Sequence, residues 1–217
     1  DMVAIRIART YTGKQRIVKV GGAYHGWSDQ LVYSLHIPYT KTFEAHGIPK
    51  EVSENTSEFF PGDVAGLRKV LEENEKAGGT AAVIIEPFGP ESGTRPVAKD
   101  FAAKVRELCD EFHTLLIFDE VVTAFRVGPG GAQGYFNVKP DLTVFGKIVA
   151  GGYPMAGGVG GSEEIMSCIA AGVKAGKKKA YVGGTLTANP LSCAAGYFAI
   201  DEIIRQDAAM KAGENGD

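Results

Sequence analysis

The sequence is poor in the features that mark secreted, metal-binding and membrane-spanning proteins. It has only three cysteines, Cys109, Cys168 and Cys193, which are far apart, odd in number and outside any metal-ligand spacing. They predict reduced thiols in a cytoplasmic protein, and no metal site is expected. No signal peptide is visible, and no apolar run approaches the roughly 18 residues that a membrane span needs.

An excess of positive charge is lacking as well. The formal net charge is -3, from 23 Lys and Arg against 26 Asp and Glu, which argues against a nucleic-acid-binding face. The run at 177–179, three lysines, is expected to be a solvated loop. The sequence contains no Walker A pattern, no strand-linked GxGxxG and no GxSxG elbow, so a nucleotide-binding protein and an α/β hydrolase are both disfavoured.

What the sequence does contain is typical of one globular domain with alternating strands and helices. It has 217 residues, of which 44% are hydrophobic and 23% charged. Strands are predicted at 16–20, 81–85, 115–118, 142–145 and near 157–161, and helices at 1–10, 64–77, 100–112, 162–169 and 189–204. The alternation predicts parallel strands with right-handed crossovers. Between 31 and 60 the pattern is weak, with a short strand at 30–36 and an extended polar arm after it.

Two of the predicted strands end in charged residues. The apolar run 115–118 stops at Asp119, and 142–145 is followed closely by Lys147. Ligands of open α/β sheets bind at this carboxyl edge, and neither charge belongs in a dry core without a partner. In a partly desolvated pocket a lysine can form a Schiff base, while an aspartate can keep a pyridine nitrogen protonated, which is the pair that pyridoxal phosphate uses. On spacing alone a second interpretation stays open, in which Lys147 caps a strand and Asp119 begins a turn; Glu120 is expected to be a strand-end charge.

A longer stretch adds a family resemblance. The class III (fold type I) pyridoxal-phosphate aminotransferases, above all the glutamate-1-semialdehyde 2,1-aminomutase group, have a core that resembles residues 117–161, IFDEVVTAFRVGPGGAQGYFNVKPDLTVFGKIVAGGYPMAGGVGG. Three further motifs resemble that family in the same order: Tyr24-His25-Gly26, Glu86-Pro87 and GGTLTANP at 183–190. Four ordered motifs are far more specific than any one of them.

The resemblance implies an α/β fold whose mostly parallel sheet is sandwiched by helices. This is the large domain of the pyridoxal-phosphate-dependent transferase (aspartate aminotransferase-like) fold, and it would occupy residues 1–217. The sequence opens within a predicted helix. The family's phosphate-binding turn, which belongs just before that helix, and its small C-terminal domain are both expected to lie outside the sequence.

The resemblance also implies pyridoxal 5'-phosphate as cofactor and assigns residues to it. Lys147 would form the Schiff base and act as the catalytic acid and base, and Asp119 would stabilise the protonated ring. Tyr24 would stack on the ring with His25 beside it, and Val121 would pack on the opposite face. From the residues alone, Tyr24 as a core aromatic and His25 as an ordinary loop histidine stay open.

Other assignments concern the dimer and the substrate. Glu86 brings a third acid to the same sheet edge as a cofactor-binding candidate, while Gly184 and Thr185 would serve the cofactor of a neighbouring subunit in a homodimer. Glu91 matches a glutamate that pairs with a substrate-gating arginine in many transaminases, whereas Val122 is the apolar choice of aminomutases. The expected activity is therefore amino transfer from an amino acid or amine to a keto or aldehyde acceptor. Alternatives are an aminomutase and a non-catalytic remnant of the fold that binds a partner.

Overall fold

The sheet is the frame on which every candidate residue is placed. A computed structural model of the protein describes residues 1–32, 34–35, 47–153, 157–170 and 178–216. Within these residues the strands are β1, Arg16–Val20; β2, Thr56–Phe59; β3, Thr80–Ile85; β4, Leu115–Asp119; β5, Leu142–Phe145; and β6, Gly158–Gly161. They form one sheet in the order β2-β1-β3-β4-β5-β6.

Parallel pairing runs through most of this sheet. β1 to β5 are mutually parallel, and β6 lies antiparallel on β5. The prediction of a mostly parallel sheet is therefore confirmed. β2 was not predicted, because its Thr-Ser-Glu-Phe sequence is polar and only its last two residues are buried, as an edge strand allows.

Helices cover both faces of the sheet. They are α1, Met2–Thr12; α2, Val64–Glu75; α3, Phe101–Glu111; α4, Gly131–Phe136; α5, Glu163–Met166; α6, Pro190–Arg205; and α7, Ala208–Glu214. Side chains cap two of these helices: Asp63 accepts a hydrogen bond from the Gly66 amide at 2.8 Å, and Asn189 accepts one from the Leu191 amide at 3.0 Å. α4 was not predicted, because its glycine-rich sequence shows no helical periodicity.

Two hydrophobic clusters lie on opposite faces of the sheet. α2 and α3 cover a cluster that includes Val83 and Phe118, and α1 and α5 cover one that includes Ile84 and Ile117. Successive residues of a strand point to opposite faces. Asp119, two residues after Ile117, therefore lies on the α1 face of the sheet.

Two predictions fall partly on residues that the structure does not describe. The predicted strand at 30–36 includes residues 33 and 36, and the lysine run includes residue 177, all of which lie outside the described residues. Leu35 forms an isolated parallel bridge with Gly22. Among the helices described, none has both the length and the apolar sequence required to span a membrane.

Candidate active site

A buried carboxylate–imidazole pair stands at the end of the central strand β4. Oδ2 of Asp119 lies 2.8 Å from Nδ1 of His25, and Oδ1 of Asp119 accepts a hydrogen bond from the Val121 amide at 3.0 Å. His25 is only 1% exposed. Its Nε2 atom has no hydrogen-bond partner in the described part of the chain. The family resemblance assigns these three residues to one cofactor site, and in the structure Asp119 contacts both of the others directly.

Lys147 lies at the end of the neighbouring strand. Val144 of β5 is opposite Asp119 in the register, so Lys147 comes three residues beyond that pair. It begins a 3-10 helix, Lys147–Ala150, with a φ of 49°, a left-handed conformation that a non-glycine residue adopts only at a free-energy cost. The carboxyl edge therefore receives the acid and the lysine from adjacent strands, as predicted.

The surroundings of Lys147 differ from the sequence-based expectation in one respect. A lysine that forms a Schiff base is expected in a partly desolvated pocket, whereas the Lys147 side chain is exposed in this chain. Gly146 precedes the turn, and Gly151 and Gly152 follow it.

Helix α6 fixes the turn that carries Lys147. A Cβ atom at Gly196 of α6 would collide with the carbonyl oxygen of Val149, and one at Gly151 would lie 2.5 Å from the carbonyl oxygen of Ala195. Backbone therefore packs on backbone without intervening side chains. Sequence reasoning missed Gly196, although a glycine inside a helical pattern is itself a sign of close packing.

Lys19 supports the loop that follows β1. This lysine is completely buried, and its Nζ donates hydrogen bonds to the carbonyl oxygens of Ala23 at 3.3 Å and Leu31 at 3.1 Å. Tyr24, next in the loop, remains 50% exposed, so it is not a core aromatic. Sequence reasoning overlooked Lys19, whose signal was a charged residue within an apolar strand.

Glu86 follows β3 and reaches two loops. Its carboxylate accepts hydrogen bonds from the amides of Tyr24 at 3.3 Å, Glu91 at 3.1 Å and Ser92 at 2.6 Å. Burial raises the pKa of Glu86, while the positive charge that His25 can carry and the Ser92 amide act to lower it. The structure thus brings Glu86 beside the Asp119 site, with its oxygens engaged by backbone.

The side chain of Glu91 has partners of its own. Its Oε2 accepts a hydrogen bond from the Thr94 hydroxyl at 3.3 Å and lies 3.9 Å from Nε of Arg95. The substrate-gating role of Glu91 stays a prediction, since a gating glutamate must also be able to exchange such partners.

Glu120 has a structural task on the other face of β4. Its fully buried carboxylate accepts hydrogen bonds from the Ala132 amide at 2.6 Å and the Thr123 hydroxyl at 3.2 Å. Amides in the first turn of a helix lack partners within the helix, so a carboxylate there stabilises α4. Glu120 is therefore more than a solvent-facing strand-end charge, and its role is to anchor α4.

Gly184 and Thr185 lie apart from the Asp119–His25 pair, along a neighbouring cleft. They border a cleft of about 710 Å³ whose other lining includes Asp1, Val144 and Gly158. Thr185 is exposed, and Gly184 has a φ of 158°. Because Val144 pairs with Asp119, this cleft lies next to the Asp119 site on the sheet.

One grouping in the described residues has the spacing of metal ligands. Asp1, His25 and Asp119 each offer one ligand atom, and these atoms lie within 4.8 Å of one another. The hydrogen bond between Nδ1 of His25 and Oδ2 of Asp119 occupies one atom of each side chain. The grouping belongs to the carboxylate–imidazole site and indicates no second centre.

Comparison with known proteins gives a consistent picture. The family model described as aminotransferase class-III matches residues 1–217. The chain is 43% identical over 210 residues to glutamate-1-semialdehyde 2,1-aminomutase of Legionella pneumophila (strain Paris), covering 93% of this chain and 46% of that protein. It therefore spans about half the length of the curated relatives it matches.

Solved structures share the fold. An omega-transaminase from Sphaerobacter thermophilus superposes with a TM-score of 0.79 at 36% identity, covering 93% of this chain and 47% of the other. A transaminase with PLP bound gives a TM-score of 0.80 at 32% identity, with coverages of 94% and 47%. These neighbours confirm the fold predicted from the sequence.

Proposed function

Since the chain belongs to the class III aminotransferase family, we propose that it forms the pyridoxal-phosphate-binding large domain of an enzyme that transfers amino groups. The observation that carries the proposal is the Asp119–His25 pair at the end of β4, with Lys147 at the end of the adjacent strand. Amino transfer requires both a charged ring partner and a lysine amine.

The residues present fit the cofactor. Asp119 offers a buried carboxylate whose two oxygens are fixed by His25 and the Val121 amide, a suitable partner for a ring N–H. Tyr24, half-exposed in the neighbouring loop, offers an aromatic face for stacking. Val121 follows Asp119 and lies against Gly146, where a Cβ would be 3.0 Å from a Val121 methyl. Lys147 would hold the aldehyde carbon.

Proton movement is the work of Lys147. When bound, the cofactor supplies an electron sink for the charge left as a proton leaves the substrate carbon. With a substrate amine in place of Lys147 on the cofactor, Nζ of Lys147 would remove that proton as general base and would return it at another carbon as general acid. Asp119 would favour this proton transfer, because its carboxylate would keep the ring nitrogen of the bound cofactor protonated.

The substrates are proposed to be an amino acid or amine donor and a keto or aldehyde acceptor. Two observations favour a transaminase, in which nitrogen passes from one molecule to another. The structural neighbours are transaminases, and Glu91 matches the gating glutamate of many transaminases. The curated relatives and Val122 favour an aminomutase, in which nitrogen moves within glutamate semialdehyde. Glu86 remains a proposed cofactor-site residue under either activity.

A homodimer completes the proposal. Thr185 and Gly184 would contact the cofactor phosphate of the neighbouring subunit through a hydroxyl and backbone amides. Support comes from exposed large apolar residues on α6, which include Leu191, Tyr197 and Phe198 and which an interface would cover. The three free cysteines support a reducing, cytoplasmic location.

One screen tests the activity. The purified chain is loaded with pyridoxal phosphate, its visible absorption is recorded, and amino donors that include glutamate semialdehyde are added. Release of a keto product with amination of a second molecule indicates a transaminase; isomerisation of the semialdehyde without an acceptor indicates an aminomutase. A protein that takes up no cofactor and shows no visible band would contradict both and leave a non-catalytic binding module.

A further inference from the structure

Glu86 joins two segments that are more than sixty residues apart in the chain. One oxygen of its carboxylate accepts hydrogen bonds from the backbone amides of Tyr24 and Glu91, which are 62 and 5 residues away. The other oxygen accepts hydrogen bonds from the amide of Ser92 and, at 3.4 Å, from its hydroxyl. The carboxylate is 7% exposed. Hydrogen bonds to a buried charge are stronger than those between neutral groups, so this contact restrains both segments.

The second segment has a backbone that needs such a restraint. Glu91 and Ser92 have φ values of 56° and 60°, so two consecutive non-glycine residues are in the left-handed region. That conformation is unfavourable for residues with a Cβ and persists only where surrounding contacts enforce it. The two successive amides converge on one anion, as in the concave anion-binding arrangements that protein backbones form.

We propose that Glu86 is a positioning residue that holds Tyr24 and Glu91 in a fixed relation through a single carboxylate. The inference rests on the proposed function, in which Tyr24 stacks on the cofactor and Glu91 faces the substrate. Glu86 acts on both through their backbone amides. Loss of its charge releases the strained segment at Glu91 and Ser92 and loosens the loop of Tyr24 at the same time.

Amide hydrogen exchange of the chain without added cofactor tests the restraint directly. In Glu86→Ala and Glu86→Gln, the amides of Tyr24, Glu91 and Ser92 are expected to exchange at least about tenfold faster, the factor set by losing a hydrogen bond to a charged acceptor. Glu107→Gln makes the same chemical change at an exposed position of α3 and is expected to leave these amides unchanged. Unaltered exchange in a folded Glu86→Gln protein overturns the proposal.

A second substitution separates positioning from general loss of structure. Glycine adopts positive φ without penalty, so Ser92→Gly in the Glu86→Gln background is expected to restore part of the protection at Glu91. If Glu86 merely stabilises the fold, Ser92→Gly restores nothing, and the proposal fails.

The bound cofactor gives a spectroscopic readout. Glu86→Gln keeps Lys147 and Asp119, so a visible band is expected to remain, while its circular dichroism should fall as Tyr24 loses its fixed position against the ring. An unchanged dichroism counts against the coupling to Tyr24. A wild-type protein without any visible band refutes the proposed function alone, because the exchange rates still decide the role of Glu86.

Discussion

Nδ1 of His25 lies 2.8 Å from Oδ2 of Asp119, and both side chains are buried. A carboxylate accepts hydrogen bonds, so Nδ1 carries the proton and donates it. The other oxygen of Asp119 accepts the Val121 amide, which fixes the plane of the carboxylate. The acid is therefore oriented before any ligand arrives, and such preorganisation is what makes an electrostatic partner effective.

Asp119→Asn should show whether turnover depends on the negative charge of this side chain or only on its size and shape. The amide is nearly isosteric, so the fold is expected to persist while turnover of the loaded protein falls by about 10³-fold or more, because the ring loses its charged partner. Steady-state kinetics with thermal unfolding measures both. Asp29→Asn, an exposed aspartate near His25, is the control and should retain full turnover. Near-wild-type turnover in Asp119→Asn would reject its role.

Lys147→Ala should abolish covalent attachment of the cofactor. Borohydride treatment of the protein mixed with pyridoxal phosphate is expected to leave a stable mass increment on the peptide that contains Lys147, and none there in the variant. Lys139→Ala, at the opposite end of β5, should label like the wild type. Labelling spread evenly over surface lysines in both proteins would contradict the assignment.

The sequence predicted the positions of Asp119 and Lys147 at the sheet edge better than it predicted the contacts that support them. Asp119 and Lys147 could be found because apolar strands ended in charges, and the family resemblance supplied their partners. The contact between Gly196 and Val149 was not predicted, because a glycine within a helical pattern indicates close packing but does not identify the partner, which here is backbone distant in sequence. Lys19 was missed for a related reason, since its acceptors are carbonyl oxygens, which every residue carries.

Gly196→Ala should disturb the Lys147 turn. In an uncrowded helix alanine would stabilise by up to about 1 kcal/mol, but here the added methyl collides with the Val149 carbonyl, and overpacking costs about 1–3 kcal/mol. We expect a net loss in free energy of unfolding and slower cofactor attachment at Lys147. Gly213→Ala in α7 is the matched control, because no atom lies within 4 Å of its added methyl, and it should be neutral or stabilising. Equal free energies of unfolding and equal rates of cofactor attachment in the two variants would show that α6 can shift away from the Val149 carbonyl at no cost.

Glu86 should make the free energy of unfolding of the protein depend on pH. Burial raises its pKa above the usual 4.5 against the opposing influence of His25 and the Ser92 amide, and the charge of Asp119 acts in the same direction as burial. The folded protein then retains a proton that the unfolded chain has lost. The contribution of Glu86 to stability is thus fully present below the unfolded pKa and declines as pH rises through the folded pKa.

Glu86→Gln cannot titrate and removes this slope. Urea unfolding of both proteins at a series of mildly acidic pH values should show the wild-type advantage shrinking as pH increases, then levelling off once Glu86 is ionised in both states. Every other ionisable group is the same in both proteins, so the difference between the two curves isolates Glu86. Curves that stay parallel across the range would mean that the folded and unfolded pKa values of Glu86 coincide. The three amide hydrogen bonds would then offset the cost of burying its charge in full.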